Sequence, residues 1–346
     1  MEKNLQGGSM SVFVPDFYPQ FHCIADRCRH SCCIGWEIDV DEAALKRYQQ
    51  VEGPLGKKLA QCIATEDTED GPTSHFMLEG EAERCPFLNE RNLCELILNL
   101  GEDSLCNICR DHPRFRNFYS DRVELGLGLC CEEAARIVLT QQSPFQLIPL
   151  EPVTSSEVVT QEESQFFAFR NMLFQILANT RADWTLRVNQ ICDAIDVPMP
   201  TFDPAEWGTF LLTLERLDPT WDDELTRLIQ SGASTNQASD NENPDDVLFA
   251  FRHYMHDQGR TEEYIHLLEY FLFRHLNTVP DEMKARVLFG VLAVSIIEWM
   301  GAAHYHEAST FTLADQIELV RMFSSEIEYS DENVDCILEE LVDRFL

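Results

Sequence analysis

The sequence predicts a mainly α protein, in which a loop-rich cysteine and metal-cluster domain is followed by a helical domain. Three observations predict it. Ten of the thirteen cysteines fall in a close-set series from Cys23 to Cys131, with Cys62 a lone outlier in that span and Cys192 and Cys336 beyond it. The second half carries apolar residues at helical spacing. No strand leads into a Gly-x-Gly-x-Gly loop with an acidic residue about twenty positions on, as a doubly wound nucleotide site requires.

Taken in order, residues 1–9 lack an apolar pattern, precede a second methionine, Met10, and are expected to be a leader outside the fold. Residues 10–140 form the cysteine-rich domain. It opens on an extended segment carrying Pro15 and Pro19. A helix capped by Asp39 or Asp41 runs to about Gln50, with Ala44, Leu45 and Tyr48 on one face, and a second helix covers Leu55 to Ile63. Glu66 to Thr73 is acidic, contains Gly71 and Pro72, and is expected to be a loop; His75 to Leu78 is a short extended piece.

Residues 141–346 form the helical domain. Phe166, Phe169, Leu173 and Ile176 share a helix face, as do Leu186, Ile191 and Ile195, and Phe210, Leu214 and Leu217. Four more helices cover Tyr264 to Leu276, Glu282 to Trp299, Leu313 to Ile327 and Asn333 to Phe345, with Pro280 and Gly301 marking breaks around the second. Val287 to Ile297 is apolar on all sides and reads as the central buried helix. Residues 231–246 are polar, small and acidic, the composition of a mobile surface loop.

The formal net charge is −34, with 24 acidic and 14 basic residues in positions 1–140 and 36 and 12 in positions 141–346. Such a surface repels nucleic-acid phosphates and attracts lysine-rich partners, although plain solubility produces the same composition. The longest apolar run is about half the length of a membrane-spanning helix, and no secretory signal follows Met10. The expectation is a soluble cytoplasmic protein with neither a nucleic-acid nor a membrane partner.

The cysteines form three groups: Cys23, Cys28 and Cys32-Cys33; Cys85, Cys94 and Cys106-x2-Cys109; and Cys130-Cys131. In a chain without a secretion signal, close-set cysteines point to metal or redox chemistry before disulfides. All-thiolate surroundings suit zinc or an iron–sulfur cluster, and the irregular spacing favours the cluster. Adjacent cysteines do not usually serve one centre together, so Cys32-Cys33 and Cys130-Cys131 each offer one ligand and one spare thiol. His22, His30, His75 and His112 lie near the cysteines as further possible ligands.

The order Cys23…Cys28…Cys32-Cys33-x-Gly-Trp36, Arg84-Cys-Pro-Phe-Leu-Asn89, Leu93-Cys94, Leu100-Gly-Glu102, Leu105-Cys-x-x-Cys-Arg110, Pro113-Arg114, Glu124 and Cys130 before Glu133-Ala-Ala-Arg136 resembles the flagellin lysine-N-methylase (FliB) family. That family is related to short cysteine-rich zinc- or iron-chelating proteins. The likeness continues more weakly through Phe251-Arg-His-Tyr254 and residues 325–333. It departs at His112, where an aromatic is usual, and at Cys131, where proline is expected.

The resemblance implies methyl transfer from S-adenosylmethionine to lysine Nε of a protein substrate, flagellin first, with a [4Fe–4S] cluster. Its ligands would come from Cys23, Cys28, Cys32, Cys33, Cys85, Cys94, Cys106, Cys109 and Cys130, with zinc as the alternative metal. Lysine must lose a proton before it attacks the methyl group, and Glu124 and Tyr119 are candidates for that step by their position beside the cysteines. Arg110 and Arg114 are candidates to hold the carboxylate of S-adenosylmethionine, or are salt bridges around the metal site. The alternative function is a non-catalytic zinc- or iron-binding protein. A redox relay on Cys106-x2-Cys109 is weaker, because the α/β context of such pairs is absent.

Overall fold

A computed structural model describes residues 10–68, 71–80, 82–141, 145–150, 159–233 and 244–346. The leader expected at residues 1–9, and residues 234–243 of the expected loop, lie outside them. Helices dominate and the sheets are small, so the chain is mainly α as expected. The chain divides into two compact units that interleave in sequence. The cysteine-rich unit comprises residues 22–115 and 131–133, and the helical unit comprises residues 1–21, 116–130 and 134–346. The expected division near residue 140 and this division do not coincide, because Arg116–Cys130 belongs with the helices.

In the cysteine-rich unit, Asp41 caps the helix Glu42–Tyr48 by accepting the Ala44 N–H at 2.9 Å. The helix Gly53–Cys62 follows, with Pro54 in its first turn, where the missing N–H costs nothing. Ala44, Tyr48 and Leu59 then meet Ile38, Val40, Phe76, Phe87 and Leu96 in one apolar core. The acidic stretch expected as a loop is instead part of a two-stranded antiparallel hairpin, Ile63–Thr68 with Gly71–Phe76. Backbone pairing holds this ribbon, and half of its residues are exposed, so no apolar alternation over the acidic stretch announces it.

The helical unit starts on a small sheet. Ser11–Pro15 runs parallel to Arg122–Leu127 and antiparallel to Leu147–Pro149, and Arg114–Phe118 forms the far edge. Thr160 and Glu163 form a capping box that opens the helix Gln161–Leu177. Asp183, Asp203 and Ser330 cap the helices Trp184–Ala194, Pro204–Leu211 and Asp331–Phe345. Two helices lay outside the apolar stripes picked out in the sequence, Pro219–Ala233 and Pro244–Asp257. They take up both ends of the stretch expected as a loop. Trp221, Leu225 and Leu228 bury one face of the first, and the acidic residues around them mask that spacing.

The helix Pro280–Ala308 is the centre of this unit. Pro280 starts it, as expected, but Gly301 does not end it: the helix continues seven residues further. By length and composition it could cross a membrane, yet 83% of its apolar window is buried inside the protein, as in a core helix. The helices Glu262–His275, Pro244–Asp257, Leu313–Phe323 and Asp331–Phe345 pack around it. After Phe323 the chain widens into a π-helical turn, Ser324–Glu328.

Candidate metal centre

Six thiols meet the apolar core of the cysteine-rich unit: Cys85 and Cys106 are buried within it, and Cys33, Cys62, Cys94 and Cys109 pack against it. Cys62 feels Lys58 and Glu79, whereas the other five feel one another and form one set. Local backbone bonds place each of them. The Cys85 N–H donates to the Cys33 carbonyl at 2.8 Å, joining two distant segments. Cys94 pairs with Leu88 in an isolated bridge and then starts the helix Glu95–Leu100. Cys106 and Cys109 occupy one helical turn at Asn107–Asp111, where the Arg110 N–H donates to the Cys106 carbonyl at 3.0 Å. That turn is fastened by Asp41, whose second carboxylate oxygen accepts the Asn107 N–H at 2.7 Å.

These thiols sense one another electrostatically. The charges of Cys33 and Cys106 both act on Cys85 and Cys94, and those of Cys33, Cys85 and Cys106 act on Cys109. A hydrogen bond from Cys32 holds the Cys33 thiol down at about 7, helped by Ser31 and Arg84. A hydrogen bond from Cys109 likewise lowers Cys106, while Cys109 keeps its proton and is raised. Burial pushes Cys85 up to about 12 and also raises Cys94. In each hydrogen-bonded pair one thiol is lowered toward the thiolate that a metal takes, and a metal would displace the protons that the set retains.

As they stand, no three His, Cys, Asp or Glu side chains among the described residues are placed to hold a single metal ion. One zinc ion would need its sulfurs about 3.8 Å apart, from a zinc–sulfur bond of about 2.3 Å. An iron–sulfur core, whose ligands sit on separate irons, accepts a wider set. Soft thiolates without competing oxygen ligands are the donors such a core takes.

The remaining expected ligands lie elsewhere. Cys23, Cys28 and Cys32 belong to the same unit but not to its apolar core. Cys130 belongs to the helical unit, where it shares a hydrogen bond with the Tyr329 hydroxyl. Of the histidines, His75 faces Glu37 at 3.7 Å, and His112 packs against Trp36 with its pKa lowered to about 4 by burial.

Arg110 and Arg114 are neighbours. The Arg114 guanidinium donates to the Arg110 carbonyl at 3.2 Å, and the half-exposed Arg110 side chain reaches Asn107 and Asp111. Glu124 and Tyr119 are together in the helical unit, joined by a residue that the sequence reading had not singled out. The buried Arg170 donates to both Glu124 oxygens at 2.7 and 2.8 Å and to the Tyr119 hydroxyl at 3.3 Å. Phe166, Phe167, Phe174 and Phe273 surround its guanidinium. Both Glu124 oxygens are thus engaged, and the pair fastens the strand Arg122–Leu127 to the helix Gln161–Leu177. Arg170 sits on the expected apolar stripe, and a charge in that position was the available signal.

A second buried polar group centres on Glu328, which closes the π-helical turn. Its carboxylate meets Tyr270 at 3.0 Å, His275 at 2.7 Å and Arg274 at 3.4 Å. Burial alone would raise the Glu328 carboxyl, but Arg274 and His275 outweigh it and hold the pKa below the ordinary value. The Tyr270 hydroxyl also accepts the Leu129 N–H at 3.3 Å. Arg274 lies 4.8 Å from the ring centre of Tyr329, which is half exposed.

Comparison with known proteins fits this arrangement. The model of the FliB lysine N-methylase C-terminal domain matches residues 167–345, half of the chain. The lysine-N-methylase of Salmonella typhimurium strain LT2 is 28% identical over 139 residues, covering 40% of this chain and 35% of that protein. The flagellar biosynthetic protein FliU of Salmonella muenchen is 27% identical over 139 residues, 40% of this chain and 82% of its own. The match thus spans about a third of the length of the Salmonella typhimurium enzyme. No solved structure matches at a significant level. By the domain match that spans its helical half, this chain belongs to the FliB lysine N-methylase family.

Proposed function

We propose that the protein is a lysine N-methyltransferase that acts on flagellin, uses S-adenosylmethionine as methyl donor and binds an iron–sulfur cluster on the thiols of its cysteine-rich unit. Family membership carries the reaction class, and the relatives' printed names, lysine-N-methylase and a flagellar biosynthetic protein, support the substrate. The five-thiol set supports the cluster. A cluster bound there would tie three distant chain segments together and, with an open iron site, would offer a Lewis acid to the amino acid end of the donor.

The reaction needs a neutral lysine. The Nε lone pair forms the new N–C bond as the methyl–sulfur bond of the sulfonium breaks. S-adenosylhomocysteine leaves as the neutral sulfide, and one proton passes to water or a nearby base. The Arg110 and Arg114 guanidiniums are suited to the donor's carboxylate because one is half exposed and the other adjoins it.

The test incubates the anaerobically reconstituted protein with S-adenosylmethionine and flagellin and reads lysine mass increments of one methyl group. The expected result is methylation that is lost in Cys106→Ser together with the protein's iron. Protein with its full iron complement that modifies neither flagellin nor any protein of a cell extract would overturn the assignment and favour a metal-binding module.

A further inference from the structure

We infer that a groove beside the helix Pro204–Leu211 is a docking site for a lysine side chain of the protein substrate, built on Asp203, Glu206 and Phe210 and held by Arg344 until the substrate arrives. The inference rests on the proposed function in taking a lysine-bearing protein as the partner.

The groove is a cavity of about 470 Å³ within the helical unit, and Asp203, Glu206, Thr209, Phe210, Thr213 and Arg344 are among the residues that line it. The two threonine hydroxyls donate to the Ala205 and Phe210 carbonyls at 2.7 and 2.6 Å, so the helix backbone takes up their hydrogens. Asp203 caps the helix through Oδ1, which accepts the Ala205 and Glu206 N–H groups at 2.8 and 2.9 Å. Glu206 adds a second carboxylate, and its side chain is 67% exposed. The Phe210 ring adds an apolar wall. A lysine needs these two things together, an apolar surface for its four-carbon stem and carboxylates for its ammonium.

Arg344 shows that a long cationic side chain fits there. Its guanidinium donates to Glu206 at 3.1 Å and to Glu340 at 2.6 Å, and it lies 5.0 Å from the ring centre of the buried Trp207. The Glu206 side of this seat is open to solvent, where ion pairs are weak and exchange readily. An incoming ammonium therefore takes over Glu206 and Asp203 while Arg344 keeps Glu340.

Charge complementarity points to the occupant. The carboxylates of Asp203, Glu206 and Glu340 meet one guanidinium, so these four side chains stay net negative with Arg344 in place. A phosphate or carboxylate ligand is repelled, and a further cation is drawn in. Residues 141–346 hold a single lysine, Lys284, among their 12 basic residues. The resident cation is thus an arginine, which a lysine methylase leaves unmodified.

The test titrates flagellin into the anaerobically reconstituted full chain by calorimetry without S-adenosylmethionine, and reads KM and kcat for methylation in parallel. Asp203→Asn with Glu206→Gln should weaken binding and raise KM by about three- to tenfold while kcat stays constant. The helix cap survives this change, because asparagine caps as well as aspartate. Arg344→Gln should tighten binding by about two- to fivefold, a sign that a merely structural Glu206–Arg344 pair would not give. Asp335→Asn with Glu339→Gln removes the same charge at exposed positions of the helix Asp331–Phe345 and should change binding by less than about twofold. Wild-type protein that does not bind flagellin, groove variants that bind as wild type does, weaker binding in Arg344→Gln, or an equal loss in the Asp335 and Glu339 control would each overturn the inference. Methylation of flagellin with binding indifferent to the groove would sink this inference alone. Groove-dependent binding without methylation would sink only the proposed function.

Discussion

Glu269 lies buried in the helix Glu262–His275, and neither of its carboxylate oxygens has a well-formed hydrogen bond among the described residues. The Phe145 N–H partly offsets this burial. Burial pushes its pKa up to about 8, so the folded protein holds this carboxyl protonated at neutral pH. Both states are protonated below the ordinary carboxylate range, and no penalty exists there. As pH rises the unfolded chain ionises first, so stability falls until the folded carboxyl also ionises near 8. The loss amounts to roughly 3–5 kcal/mol across that window. Glu269→Gln should therefore raise the thermal midpoint strongly at about pH 8.5 and only slightly at about pH 5. An equal gain at both values would show that charge is not the cause.

The glycine expected to break the central helix instead sits inside it, at a close crossing. A Cβ added at Gly301 would lie 2.9 Å from Phe251 Cζ and 3.2 Å from Phe311 Cζ, and both rings are fully buried. The helix Pro280–Ala308 therefore passes under those rings because residue 301 has no side chain. Gly301→Val should destabilise the unit by about 1–3 kcal/mol through overpacking, which outweighs the gain in helix propensity. Urea unfolding with an unchanged slope would measure it, and a wild-type midpoint would refute the crossing. Elements of this kind were partly legible. Asp41 and the Ala44, Leu45 and Tyr48 face announced the helix Glu42–Tyr48, whereas the hairpin Ile63–Phe76 was hidden because pairing of a half-exposed ribbon leaves no period in its side chains.

Across the whole chain the acidic excess falls mainly after residue 140, where 36 acidic residues face 12 basic ones. If flagellin is the substrate, that field would raise the encounter rate with lysine-bearing surfaces. Salt would screen it beyond about 8 Å at physiological ionic strength. The expected outcome is a KM for flagellin that rises several-fold between low and high salt while kcat stays constant. A KM independent of salt would assign the charge to solubility alone.

The inventory of chemistry was present in the one-dimensional sequence: thirteen cysteines, their close spacing before residue 131, and the apolar periods of the later helices. Spacing and periodicity are local quantities, and they sufficed for a mainly α chain with a thiol-rich unit. Partnership is not local. Only tertiary structure assigned Glu124 to Arg170, brought Glu328 to Tyr270 and His275, and joined the Cys85 segment to Cys33. It also placed residues 131–133 with the cysteine-rich unit while the chain on either side belongs to the helices. Which charge meets which, and which sulfur faces which, depends on distances between segments that are far apart in sequence. Those distances are set by packing of the two cores, which local residue patterns do not encode.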